Sequence, residues 1–195
     1  MKYKNWLEDW LNFYVKVGVK ERTFEIYKYN IEKYVINELG NYDIENINHL
    51  ILQNYVINLS KLTETHRALS NNSIKLIWRL ICSSLKTANE ELNVDCLYYK
   101  KVKIPHTDEK QIKAFTLQEQ KRIERVININ RYPKQVGILM GLYLGLRLGE
   151  ICALKWEDVD FKNQILVVNK TTYCKNNKLI YTTPKTKSSL RTIPI

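Results

Sequence analysis

No two of the four cysteines, Cys82, Cys96, Cys152 and Cys174, form a Cys-x-x-Cys pair. Their wide spacing excludes a zinc knuckle and a disulfide framework, and they read as reduced residues of a cytoplasmic protein. No apolar segment follows Met1-Lys-Tyr-Lys-Asn-Trp6, so no secretory signal is read at the start. The longest apolar run, Val136 to Leu146, falls short of the ~20 residues that span a bilayer, and no membrane partner is expected. Internal repeats and low-complexity tracts are absent. Acidic residues are scarce in one half of the chain. Residues 1–100 carry 13 Lys+Arg against 12 Asp+Glu, whereas residues 101–195 carry 18 against 8, and the net charge is +11. Charge concentrated in this way favours a polyanionic partner, nucleic acid first; a basic but merely solvated surface is the other reading. The hydrophobic fraction of 45% and aromatic fraction of 11% suit a packed globule, and 195 residues suffice for one large or two small domains.

Residues 1–100 read as helical throughout. Trp6, Trp10, Leu11 and Tyr14 share one helical face. Thr23 is the expected cap of a second helix carrying Phe24, Tyr27, Ile31 and Tyr34 or Val35, which Leu39-Gly40 ends. Ser70-Asn-Asn-Ser73 caps a strongly periodic helix with Ile74, Ile77, Trp78, Ile81, Leu85 and Ala88 on its apolar side. Lys75, Arg79 and Lys86 return to nearly one angle on the other side, either as phosphate contacts or as a solvated cationic face. Residues 101–114, with Lys101, Lys103 and Pro105, read as a basic interdomain linker whose two lysines are candidate DNA contacts. Thr116-Leu-Gln-Glu119 is a capping box that opens a second domain. Gly137, Gly141 and Gly145 at four-residue spacing predict a buried helix with a close neighbour. Beyond Phe161 the pattern turns to strands at 165–168, 179–182 and 190–195, with Lys175–Lys178 and Lys185–Ser189 as turns.

The most specific stretch is Gly145-Leu-Arg147-Leu-Gly-Glu150-Ile-Cys-Ala-Leu154-Lys-Trp156-Glu-Asp158. It sets an arginine beside an apolar helix, with a carboxylate one helical turn on to orient it. A buried Arg–Glu pair that closes a helix is the bland alternative. The run resembles the Arg box of the tyrosine site-specific recombinases, the phage integrase family, whose usual Thr-Gly-Leu-Arg-x-x-Glu pattern it leaves at Leu144. Lys185-Thr-Lys187 followed by Arg191-Thr-Ile-Pro194 resembles the family's lysine turn. Trp6-x-x-x-Trp-Leu11, Arg22-Thr-x-x-x-Tyr27 and the Ser73-Ile-Lys75 helix resemble its core-binding domain.

That resemblance implies a mainly α protein with a small β-sheet: a helical, SAM-like core-binding bundle over residues 1–100, the linker, and the first part of an α+β catalytic domain over residues 115–195. It implies duplex DNA and other recombinase protomers as partners, with no cofactor and no metal. Arg147 and Lys185 become the expected catalytic pair, with Glu150 in support. Arginine offers a fixed charged fork to the phosphoryl oxygens, and lysine can protonate the leaving 5′ oxygen. Lys187, two residues along the same turn, and Arg191 are read as DNA contacts. The family's His-x-x-Arg does not occur at His49, His66 or His106, and every tyrosine precedes Lys185. The chain is therefore expected to be the front part of a recombinase, inactive alone. A non-catalytic regulatory DNA binder derived from a shortened recombinase, and a tyrosine-type topoisomerase, are the alternatives; Arg22-Thr-x-x-x-Tyr27 favours an integrase over the last.

Overall fold

The computed structural model describes residues 1–62, 67–106, 113–130, 132–175, 177–183 and 189–195. The chain divides into two compact units, Met1–Lys110 and Gln111–Ile195.

In the first unit, α1 (Tyr3–Trp10) runs through a π-helical turn, Leu11–Val15, into α2 (Lys16–Gly18). Helix α3 (Glu21–Asn30) likewise continues through Ile31–Ile36 into α4 (Asn37–Leu39). Helices α5 (His49–Leu59) and α6 (Asn71–Leu92) follow, each started by a capping side chain. The Asn48 oxygen accepts from the N–H groups of Leu50 and Ile51 at 3.0 and 3.1 Å, and Ser70 Oγ accepts from Ser73 N at 3.3 Å. The expected apolar side of α6 is buried in full, with Ile74, Ile77, Ile81, Leu85 and Ala88 at 0% exposure. Burial of each large member stabilises the unit by about 1.5–3 kcal/mol. Trp6, Trp10 and Leu11 pack against it, together with Ile31, Val35, Leu52 and Leu59.

Three polar tips are satisfied inside this core. Tyr3 Oη and Ser84 Oγ lie 2.7 Å apart, Trp6 Nε1 donates to the Ser84 carbonyl at 3.0 Å, and Trp10 Nε1 donates to Thr87 Oγ1 at 3.3 Å. Burial pushes the Tyr3 hydroxyl far above the ordinary tyrosine pKa.

One expectation is refined here and another overturned. Tyr14 keeps the Trp6 side of the helix but is 42% exposed, so it does not join the buried core. Its ring lies 6.1 Å from that of Trp6. Thr23 is not the cap of α3, whose N-cap is Lys20; Thr23 N already donates to Lys20 O at 2.8 Å within the first turn. The helix begins where the extended backbone at Val19 and Lys20 turns, and no side chain caps it.

Residues 97–106, partly inside the expected linker, are held on the first unit. A 3-10 turn, Leu97–Lys101, is followed by a reciprocal pair in which Lys103 N donates to Gln53 Oε1 (2.8 Å) and Gln53 Nε2 donates to Lys103 O (3.0 Å). Asn71 Nδ2 then donates to His106 O at 2.6 Å.

In the second unit the Thr116–Glu119 box forms as expected. Thr116 N donates to Glu119 Oε2 at 2.8 Å and Glu119 N to Thr116 Oγ1 at 3.3 Å, opening α7 (Leu117–Asn130). Helices α8 (Val136–Leu144) and α9 (Leu148–Ile151) precede β1 (Val159–Asp160), β2 (Ile165–Val168), β3 (Thr171–Lys175), β4 (Lys178–Thr182) and β5 (Arg191–Pro194). β1, β2 and β5 form an antiparallel sheet in that order, with Val159 opposite Leu166 and Val168 opposite Arg191; β3 and β4 form a separate hairpin. Leu146, Leu166 and Val168 make a small core against Met140, Leu144, Ile151, Leu154, Val159 and Ile193.

Helix α8 departs from its expected burial. None of its residues is buried, and Val136, Ile138 and Tyr143 are half exposed or more. Only one narrow face packs. A Cβ at Gly137 would sit 3.2 Å from Ile151 Cγ2, and one at Gly141 would sit 3.8 Å from Ile151 Cδ1. Gly145 answers a different need, since it ends the helix at φ +62 with open space around it.

Candidate active site around Glu150

The left-handed Gly145 turns the chain off α8, and Leu146 anchors it in the core at 6% exposure. Arg147 therefore falls at the N-cap of α9, in extended backbone at φ −73, ψ 150. Helix α9 is held close to β3 through Gly149. A Cβ there would lie 2.5 Å from Thr171 Oγ1 and 2.8 Å from the Thr172 carbonyl oxygen, while Thr172 Oγ1 donates to Gly149 O at 3.3 Å.

Glu150, third residue of α9, points inward with its side chain 3% exposed. Its carboxylate collects four hydrogen bonds. Oε2 accepts from Arg147 N at 3.0 Å and from Arg191 Nη2 at 2.9 Å; Oε1 accepts from Arg147 Nη1 at 3.0 Å and Arg191 Nη1 at 3.2 Å. The Arg191 guanidinium, then the Arg147 backbone and side chain, hold the Glu150 carboxyl down to about 2 against the opposing effect of burial. The same pairing raises the Arg191 pKa. The two guanidinium groups differ in access. Arg147 is 71% exposed, whereas Arg191 is 28% exposed and also donates to Ser189 O at 3.3 Å. One carboxylate thus ties the start of β5 to the start of α9 and leaves one cation facing solvent.

The structure brings Arg147, Glu150 and Arg191 together. Arg191, an expected DNA contact, lies opposite Val168 on β5 and directs two of its donors to Glu150. Its spacing from Glu150, 41 residues, hides that pairing from the sequence. Lys185 and Lys187 lie outside the described residues. The exit of the motif is also organised: Asp158, 4% exposed, accepts from Lys155 N at 2.8 Å and pairs with Lys170 Nζ at 3.0 Å, which raises the Lys170 pKa. Trp156 remains 82% exposed and stacks on Phe161 with ring centroids 6.3 Å apart.

On the first unit, Lys75 is half-buried and Arg79 and Lys86 are exposed, all along α6. Lys86 reaches Glu90 at 3.8 Å, an exposed i,i+4 pair worth only a few tenths of a kcal/mol. Arg79 lines a groove of about 410 Å³ with Trp10, Tyr14, Tyr27 and Thr87. Lys101 and Lys103 are exposed on the segment held by Gln53.

Residues 2–60 match the family described as phage integrase, N-terminal SAM-like domain, and residues 108–191 match the phage integrase family itself, together well over half of the chain. The chain belongs to the phage integrase family of tyrosine recombinases. Among curated relatives it is similar to a XerC-like tyrosine recombinase of Caldanaerobacter subterraneus, 31% identical over 97% of this chain and 51% of the relative. It also resembles the ICEBs1 integrase of Bacillus subtilis, 27% identical over 92% of this chain and 48% of that protein. The chain spans about half the length of these relatives. Among solved structures, the Tn1549 transposon integrase in complex with transposon right end DNA superposes with a TM-score of 0.81 at 19% identity, covering 100% of this chain and 61% of that one. A lambda integrase tetramer on a Holliday junction gives 0.72 at 16%, covering 94% and 51%. These likenesses establish the integrase fold, mostly helical with small antiparallel sheets. No helix among the described residues is long and apolar enough to cross a membrane.

Proposed function

We propose that this chain binds duplex DNA and contributes the arginine side of a phosphoryl-transfer site in an integrase-type tyrosine recombinase, acting in the cytoplasm beside other recombinase protomers. The observation that carries the reading is the asymmetry at Glu150. A buried carboxylate anchors one arginine and holds the backbone N–H and one Nη of the other, whose side chain remains 71% exposed. A guanidinium fixed in this way meets a phosphodiester in a set orientation and stabilises charge spread over its oxygens, without reorganising as the reaction proceeds. The DNA complexes described for the Tn1549 and lambda integrases support the same assignment of partner.

In the complete reaction a tyrosine attacks the phosphodiester to give a 3′-phosphotyrosine, and Lys185 protonates the leaving 5′ oxygen while Lys187 contacts the backbone. Lys75, Arg79, Lys86, Lys101 and Lys103 supply sequence-independent phosphate contacts from the helical unit, and the basic stretch at 101–114 links it to the unit that carries Arg147. The test is a duplex titration at several salt concentrations. Neutralising Z phosphates gives a log–log slope of about −0.9Z, so about five contacts make affinity fall steeply with salt. Absent binding, or binding indifferent to salt, refutes the reading.

A further inference from the structure

Helix α7 buries one arc and charges the other. Ile127 is buried, and Gln120, Ile123 and Glu124 are half-buried beside it, all within about a quarter turn at ~100° per residue. Lys121, Arg122 and Arg125 are exposed and occupy the opposing arc, with Gln118 between them in angle. The two acids of this helix take their hydrogen bonds from other groups, and the Lys121 charge bears on Glu124 only as the smallest of its influences. Glu119 accepts from Thr116 N and Thr116 Oγ1 at 2.8 and 2.9 Å. Glu124 accepts from Tyr143 Oη at 2.5 Å and from Gln120 Nε2 at 2.9 Å, which holds its pKa down. Among the described residues none of the three cations makes a salt bridge. Lys121 and Arg125 also stand at i,i+4, where like charges destabilise a helix by a few tenths of a kcal/mol. No sequence motif marks this face.

We propose that the Lys121–Arg122–Arg125 face of α7 is a docking surface for the phosphate backbone of duplex DNA, a set of contacts additional to Arg147 and to the lysines of the helical unit. The proposal rests on the DNA-binding reading above. Lys121 and Arg125 are about 6 Å apart along the helix axis, and one DNA strand presents a phosphate every ~3.4 Å of duplex axis. Long flexible cationic side chains at that spacing reach neighbouring phosphates of a single strand, and the Gln118 amide on the same arc adds a neutral donor.

The experiment is a salt-dependent duplex titration of the full chain as wild type, as Lys121→Gln/Arg122→Gln/Arg125→Gln, and as a control, Lys4→Gln/Lys16→Gln/Lys61→Gln. The control removes the same charge from exposed positions of the first unit. Glutamine keeps helix propensity close to that of Lys and Arg. The α7 variant is expected to show a slope shallower by about 2–3 and affinity at 0.1 M salt at least ~10-fold weaker, with the control near wild type. Arg125→Ala alone, which favours the helix, is expected to reduce the slope by about 1. Equal slopes for the α7 variants and wild type overturn the proposal while leaving the DNA-binding function intact, as does an equal loss in the control. Failure of the wild type to bind duplex overturns both. A change in oligomeric state with the slope preserved assigns the face to a protein partner and overturns the proposal as well.

Discussion

Replacing Glu150 with Gln removes the negative charge that two arginines share and keeps the shape of the side chain. In the folded unit the carboxyl sits at about 2 instead of its ordinary 4.5, chiefly because Arg191 donates to it. At 1.36 kcal/mol per pKa unit, that difference amounts to about 3 kcal/mol of folding stability at neutral pH. A carboxylate with a depressed folded-state pKa contributes fully above its unfolded value and loses that contribution as pH falls through its folded value. The window therefore runs from about pH 4.5 down to about pH 2. Glu150→Gln is expected to destabilise the second unit by about 2–3 kcal/mol at pH 7 and by less than half as much at pH 3, because the wild type weakens toward the variant. Urea unfolding followed through the amide resonances of Val167 and Thr192, which pair across β2 and β5, isolates this unit. A gap that stays constant from pH 7 to pH 3, or is below ~0.5 kcal/mol at pH 7, refutes the argument that Arg191 and Arg147 stabilise the ionised form.

Two further outcomes follow from close packing. Gly149→Ala drives a methyl group into Thr171 Oγ1 and the Thr172 carbonyl, so α9 must shift off β3. The expected loss is about 1–3 kcal/mol in the second unit, with a displaced Glu150 side-chain resonance, and an unchanged melting curve with unchanged shifts contradicts it. Ser84→Ala leaves the fully buried Tyr3 hydroxyl without its 2.7 Å partner, at a cost of about 1–3 kcal/mol, while Tyr3→Phe combined with Ser84→Ala recovers much of it. A double variant no better than Ser84→Ala in urea unfolding removes the hydrogen bond as the cause.

The apolar side of α6, the Ser70 cap and the Thr116–Glu119 box were legible in the sequence, because helix periodicity and capping act within a few residues. The Arg147–Glu150 spacing was legible for the same reason: three residues make one turn, whatever the rest of the chain does. By contrast, Arg191 reaches Glu150 only because β5 pairs with β2 in the register that sets Arg191 opposite Val168. Strands β1 and β3 escaped the sequence reading, one being two residues long and the other a Thr-Thr-Tyr-Cys-Lys run without clear alternation. Tyr14 stands beside Trp6 as expected yet stays 42% exposed, because periodicity sets a side chain's angle on its helix while tertiary packing decides whether that angle is covered. The glycine-spaced helix α8 shows the same division. Its spacing predicted a close neighbour, which Ile151 supplies at Gly137 and Gly141, yet its exposure depended on how little of the small second core lies against it. Local chemistry determined the elements, their caps and the arginine turn. Which side chains lie 41 residues apart in sequence and 3 Å apart in space was decided by the β2–β5 register together with the packing of α9 on β3.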